Sequence, residues 1–221
     1  RGEGLSRPLE PRDDRPLDER VAGAVRTMLH AIGDDGDVLC FLPGAPEIRR
    51  THDRLRDLSR VDVVELFGAL DPREQDRALT RTDRQRVVLA TNVAETSVTI
   101  DGVVGVVDSG LMKRNEYDPV TERESLETVR ISLASAEQRA GRAGRTRPGR
   151  CLRMWTKSEH NTLDTSHAPE IARIDLARVL LDVLAFHPGD PRAFEFFEAP
   201  SKSRIERALD VAAECDPILV A

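Results

Sequence analysis

Cysteine is scarce in this 221-residue chain, with only Cys40, Cys151 and Cys215, which are far apart and form no C-x-x-C pair. That spacing argues against metal ligands and leaves them as reduced packing residues. The five histidines are equally scattered and carry no ligand spacing. No apolar run approaches the roughly 20 residues of a membrane span, and no basic-then-apolar signal opens the chain, so a cytoplasmic protein is expected. An excess of positive charge is missing too: the formal net charge is -6. This excludes a uniformly basic nucleic-acid coat but leaves room for one basic groove. Finally, there is no G-x-x-x-x-G-K-[ST] phosphate loop and no Asp-Glu-x-His metal-holding sequence anywhere.

What is present is a regular alternation. Residues 1–16, RGEGLSRPLEPRDDRP, are rich in proline, glycine and charge and read as a linker. In LDERVAGAVRTMLHAI, Val21, Val25, Met28, Leu29 and Ile32 recur at helical spacing behind Asp18 as an expected cap. DVLCFLPG, VDVVELF, RQRVVLAT, GVVGVVD and GRCLRMW are short apolar, β-branched runs, and amphipathic stretches stand between several of them. One of those stretches opens with Asp71 before Pro72, a cap followed by proline at the first helical position. Buried strands alternating with helices predict an α/β fold, a mainly parallel sheet covered on both faces. Ligands of such sheets bind beyond the carboxyl ends of the strands. Within DSGLMKRNEYDPVTERESLETVRIS, a turn at Asp118-Pro119 between two extended arms predicts a projecting hairpin. Beyond Trp155 the chain becomes polar, then offers two helices, one striped by Leu176, Val179, Leu180, Val183 and Leu184, the other by Ile205, Leu209 and Ala212.

The densest chemistry is in EQRAGRAGRTRPGRCLRMW. Six arginines fall between Gln138 and Arg153 with no acid among them. If a helix starts at Ser135, then Gln138, Arg142 and Arg145 lie at i, i+4 and i+7 on one face, and Arg139 points elsewhere. Gly141 and Gly144 are poor helix formers, each costing about 0.8–1.0 kcal/mol against alanine, so close backbone approach to another body is expected there. Such a face suits a polyanion whose charge grows during reaction, a triphosphate above all. A solvated basic face is the alternative that geometry alone leaves open.

QRAGRAGR resembles the sixth conserved motif of superfamily 2 helicases of the DEAH/RHA type. VLATNVAETSVTI is similar to that family's fifth motif, VLCFLPGAPEI to its fourth, and LFGALDPREQ to the segment that follows. VVDSGLMKRNEYDP is similar to the strand and hairpin between the fifth and sixth motifs, and GRAGRTRPGRCLRMW resembles the bacterial HrpB-like subgroup. The order is that of the family, and the likeness covers residues 16 to 200. One departure is Phe67, where the family often has histidine, which removes a hydrogen-bonding group.

The resemblance implies a second RecA-like domain over residues 17–156 and the start of a winged-helix region over 157–221. The phosphate loop and the metal-holding motif belong to a preceding RecA-like domain, so this chain alone is expected to be inactive. It further implies ATP with Mg²⁺ as cofactor, the metal held mainly by that first domain, and single-stranded nucleic acid, by preference RNA, as partner. Arg142 and Arg145 match arginine fingers aimed at the γ-phosphate, and Gln138 a position that orders the phosphate and attacking water. Gly141 belongs to the same motif. Ser97 and Thr99 match phosphate-sensing and nucleotide-side positions, with Asp101 beside the ribose. Thr91 and Asn92 match backbone-contacting positions of the fifth motif, and Lys113 and Arg114 fall on the hairpin as phosphate contacts. For Ser97, Thr99, Asp101, Thr91 and Asn92, ordinary turn or strand-end roles remain open. A non-catalytic nucleic-acid-binding or partner-docking module and a DNA-directed motor are the other classes the residues allow.

Overall fold

A computed structural model describes residues 13–34, 36–118, 123–145, 148–187 and 189–215. The first twelve residues of the expected linker, the turn residue Pro119, and Arg147 of the arginine-rich stretch lie outside the described residues. The chain divides into two units, residues 1–113 with 128–167 and residues 114–127 with 168–221.

The first unit is built on five strands, β1 (Asp37–Phe41), β2 (Asp62–Leu66), β3 (Arg86–Ala90), β4 (Val103–Asp108) and β7 (Arg150–Arg153). They lie in the order β2-β3-β1-β4-β7, and every neighbouring pair is parallel. This is the α/β architecture the sequence predicts. β1, β3 and β4 are buried along their whole length, which is why they read as uninterrupted apolar runs instead of an alternating pattern.

Alternate strand residues build two separate cores. Val38, Cys40, Leu42, Val87, Leu89 and Val107 pack with Val21, Val25 and Met28 of α1 (Leu17–Ile32) and Ile48 of α2 (Ala45–Arg54). On the opposite face Leu39, Phe41, Val88, Ala90 and Val106 pack with Ala78 of α3 (Pro72–Leu79) and Ala94 of the short α4 (Val93–Thr96). Asp71 caps α3 as expected, accepting from the Arg73 amide at 2.9 Å. Asp18 does not cap α1: Pro16 takes the cap position, and the Asp18 carboxylate inside the first turn accepts from Arg54 Nε of α2. A nearby guanidinium is a stronger donor than a backbone amide. It also holds Asp18 below its ordinary pKa.

The predicted hairpin is present as β5 (Leu111–Asp118) and β6 (Arg123–Arg130). Gly110 at its root has φ +74°, and a Cβ there would stand 2.7 Å from Trp155 Cε3, so both backbone and packing demand glycine. α5 (Leu133–Ala140) and α6 (Lys157–His160) complete the first unit. The Thr156/Glu159 capping box of α6 lies in a stretch without apolar period, which hid this single turn. In the second unit α7 (Leu176–Phe186) and α8 (Lys202–Cys215) pack through Leu176 and Leu180, Ile205 and Leu209 of the stripes read from sequence, joined by Ala208.

An ion pair locks the amino ends of the strands. Arg86, 1% exposed in its side chain, donates from Nη2 to Asp37 Oδ2 at 2.6 Å and from Nη1 to the Thr80 carbonyl at 2.6 Å. Asp37→Ala leaves that guanidinium buried without its carboxylate. The expected loss is about 3–5 kcal/mol, read by urea denaturation of the chain.

Candidate nucleotide and nucleic-acid faces

The arginine-rich stretch is organised differently from a single helical face. Ser132 starts α5, its side chain accepting from the Ser135 amide, and the helix ends at Ala140 with Gly141 as C-cap. Ser135 is therefore inside the helix, and Arg142 and Arg145 lie in the turn beyond it instead of sharing a face with Gln138. Ser135 is diverted because its hydroxyl donates to Glu95 Oε2 at 2.7 Å. Gly144 has φ +96°, a conformation that turns the chain out of the helix before Arg145. The close approach in this stretch is internal: a Cβ on Gly149 would stand 2.6 Å from the Gly144 amide nitrogen.

Nor are the arginines without acids. Arg139, fully buried, donates from Nε to Glu95 Oε2 and from Nη1 to Asp108 Oδ1, both at 2.9 Å, and lies 4.8 Å from the centre of the Phe41 ring. Burial pushes the Asp108 carboxyl up from its ordinary pKa, and Arg139 opposes that shift. Arg153 pairs with Glu137 at 2.7 Å. These acids come from other segments or from just ahead of the stretch. No pattern within the stretch announces them.

Arg142 is almost wholly buried; its Nη1 donates to the Val98 carbonyl at 2.7 Å and its Nη2 to the Glu95 carbonyl. Burial, and then the neighbouring Arg145 charge, lower its pKa. Arg145 is exposed, with Nη1 donating to Thr99 Oγ1 at 3.3 Å. Two guanidiniums are thus held near one another, and among the described residues the outer one makes a long side-chain hydrogen bond to Thr99. An anion placed beside Arg145 would relieve that repulsion.

Residues 91–101 run from the carboxyl end of β3 to the amino end of β4. Thr91, half-buried, and Asn92, exposed, stand at the first end; the Thr91 carbonyl accepts from the Ala94 amide at 3.2 Å and the Asn92 carbonyl from the Glu95 amide at 2.9 Å. Ser97 caps the end of α4 and is exposed, as is Thr99. Asp101 is exposed at the other end, its carbonyl accepting from Arg86 Nη2 at 3.1 Å. The structure therefore brings Arg142, Arg145 and Thr99 together and keeps Asp101 near the amino ends of the strands. Thr91 and Asn92 stand at the carboxyl end of β3. Gln138 and Gly141 are exposed on α5 and at its cap. The Lys113 stem lies against Gly44, where a Cβ would stand 3.0 Å from its Cδ, and Arg114 pairs with Glu116 at 2.5 Å. Phe67 is buried, and Arg49 lies over its ring at 5.7 Å, so this position is apolar packing.

Sequence reasoning missed Glu95, the pairing of Asp108, the Ser135 contact to Glu95 and the importance of Arg139. For Asp108 the available signal was an acidic residue closing an otherwise apolar strand. Cys40 is buried and its thiol pushed up by desolvation, and Cys151 is pushed up to about 12, in keeping with packing residues. Among the described residues, no three His, Cys, Asp or Glu side chains are grouped so as to hold a metal ion.

Comparison with known proteins adds the following. The family described as helicase conserved C-terminal domain matches residues 22–147. The chain is 37% identical over 226 residues to the ATP-dependent RNA helicase HrpA of Escherichia coli strain K12, covering 97% of this chain and 17% of that protein. It is 40% identical over 180 residues to mouse "Probable ATP-dependent RNA helicase DHX34", covering 79% and 16%. The solved Escherichia coli DEAH/RHA helicase HrpB superposes with a TM-score of 0.82 at 35% identity, covering 95% of this chain and 28% of that one. The chain thus spans about a sixth of the length of these curated relatives.

The exposure difference between the two arginines gives a stability test. Arg142→Ala strips a donor pair from two carbonyls and is expected to cost about 1–3 kcal/mol in urea denaturation. Arg145→Ala is expected to stay within about 0.5 kcal/mol of the parent chain.

Proposed function

The chain belongs to the helicase conserved C-terminal domain family, and we propose that it is the second RecA-like domain of an ATP-dependent RNA helicase. It supplies the arginine side of an ATP site and part of a nucleic-acid groove. The observation that carries this reading is the exposed Arg145 guanidinium, set beside the buried Arg142 and next to an Arg139 that is paired with Glu95 and Asp108.

ATP is the substrate, and its hydrolysis supplies the free energy of the motor. In this reading Arg145 is the finger that meets charge developing on the γ-phosphate. Thr99 aims it, and Arg142 braces the turn from behind through the Glu95 and Val98 carbonyls. Preorganised donors of this kind act without reorganising at the moment of reaction. Gln138 presents an exposed amide able to orient a water, the exposed Ser97 hydroxyl and the Gly141 backbone serve as further phosphate contacts, and Asp101 offers acceptors to a ribose. In this reading the Mg²⁺ that accompanies ATP is held mainly by the preceding RecA-like domain, one or two carboxylates with the substrate phosphates being the usual ligand set.

On the nucleic-acid side, Thr91, Asn92, Lys113 and Arg114 serve as contacts to phosphates. Short polar side chains, amides and cations position a strand without reading its bases. The relatives' printed names favour RNA over DNA.

The decisive experiment is ATP hydrolysis by a full-length protein carrying this chain, with and without single-stranded RNA or DNA, beside Arg145→Ala. The expected outcome is RNA-stimulated turnover that drops about 10³-fold in the variant while ATP still binds. Unchanged turnover in the variant would sink the finger assignment and favour a binding module. Equal stimulation by DNA would remove the RNA preference.

A further inference from the structure

Asn92 of the proposed nucleic-acid contacts and Arg142 of the proposed nucleotide contacts both hydrogen-bond to Glu95. On its amino side, Asn92 and Glu95 are joined within a single helical turn by the Glu95 amide donating to the Asn92 carbonyl at 2.9 Å, with Thr91 held the same way by Ala94. On its other sides, the Glu95 main-chain carbonyl receives Arg142 Nη2, and its carboxylate oxygen Oε2 receives Ser135 Oγ at 2.7 Å and Arg139 Nε at 2.9 Å. Arg139 in turn reaches Asp108 at 2.9 Å and the Leu111 carbonyl at the hairpin root at 3.2 Å. A displacement of Asn92 therefore has two routes to the arginine turn, one through a main-chain oxygen and one through a carboxylate.

Stability alone does not account for this arrangement. Among the described residues, Asp108 Oδ2 and Arg139 Nη2 are buried without a hydrogen-bond partner, and an unmatched buried polar atom costs about 1–3 kcal/mol. Buried ionic clusters of this type are commonly no more stabilising than apolar packing of the same volume.

We propose that Glu95 is a positioning residue that couples occupancy of the Thr91/Asn92 phosphate contacts to the placement of Arg142 and, three residues on, Arg145. The proposal rests on the function read above and goes beyond it by naming the joint. Glu95 touches neither ligand. It sets where the arginine turn sits when a strand is bound, and by reciprocity how tightly a strand is held when nucleotide is bound.

The test measures coupling by binding, with the full-length protein, a fluorescent single-stranded homopolymeric RNA and a non-hydrolysable ATP analogue. In the parent protein the analogue is expected to change the RNA Kd about fivefold or more. In Glu95→Gln that ratio should fall towards one, while the RNA Kd without analogue and the analogue Kd without RNA each stay within about twofold of the parent. Ser135→Ala, which removes one hydrogen bond from the same carboxylate, should lose part of the coupling and decides the matter if Glu95→Gln does not fold. A folded Glu95→Gln, or failing that a folded Ser135→Ala, that keeps the parent ratio would overturn the proposal. So would a parallel weakening of both ligands with the ratio preserved, which marks a merely structural role. A parent protein showing no nucleotide effect on RNA, together with an Arg145→Ala variant of normal turnover, would instead bring down the functional reading on which the proposal stands. Absent coupling with turnover that still depends on Arg145 would overturn the Glu95 proposal alone.

Discussion

The burial of Arg139 between Glu95 and Asp108 is the constraint around which the rest of the candidate site is arranged. Removing these groups from water costs several kcal/mol per ion unless they are paired. The pairs draw together the end of β4, the turn after β3 and the carboxyl half of α5. Asp108 continues the row of Val106 on the α4 face of the sheet, next to Phe41 on β1, and the guanidinium lies over that ring. Once Arg139 is fixed there, the exit of the chain from α5 is fixed too. Gly141 ends the helix, Arg142 turns inward to two carbonyls, and Gly144 turns Arg145 outward.

The sheet explains how one short segment can face two kinds of ligand. Because all neighbouring strands are parallel, the chain must return from the carboxyl end of β3 to the amino end of β4, and residues 91–101 make that return across one face. Thr91 and Asn92 stand at one end of the crossing and Asp101 at the other. Arg142 and Arg145 meet its middle at Glu95, Val98 and Thr99. A crossing pinned at its centre by a buried cation has little freedom to move one end without the other. The same topology that hides the apolar strands thereby joins the two proposed surfaces.

Much of this was legible in the residues, for reasons that are local. Strands buried on both faces leave runs such as RVVLA that need no partner to be read, and Asp71-Pro72 carries its own cap geometry. The stripes of α7 and α8 obey a single period because each helix packs along one side. What was not legible depended on partners distant in sequence. Arg139 meets Asp108 and Glu95 at separations of 31 and 44 residues, so six arginines without local acids looked like uncompensated charge. Ser135 looked like a cap because its carboxylate partner was out of view. Asp18 looked like one because Arg54 lies on another helix.

Charge matching finally explains why the two arginines that resemble fingers are not equivalent. Within the cluster, Glu95 and Asp108 supply two negative charges against Arg139, Arg142 and Arg145, so one positive charge remains. Arg142 cannot present it outward, because its donors are committed to carbonyls that carry no compensating charge and its own burial disfavours the protonated form. Arg145 is the exposed member, and among the described residues its side chain meets a neutral hydroxyl, that of Thr99, at 3.3 Å. A charge-assisted bond to phosphate is roughly twice as strong as a neutral one. The surplus is therefore satisfied best by an anion arriving from outside, while the carboxylates of Glu95 and Asp108 hold Arg139 in the interior.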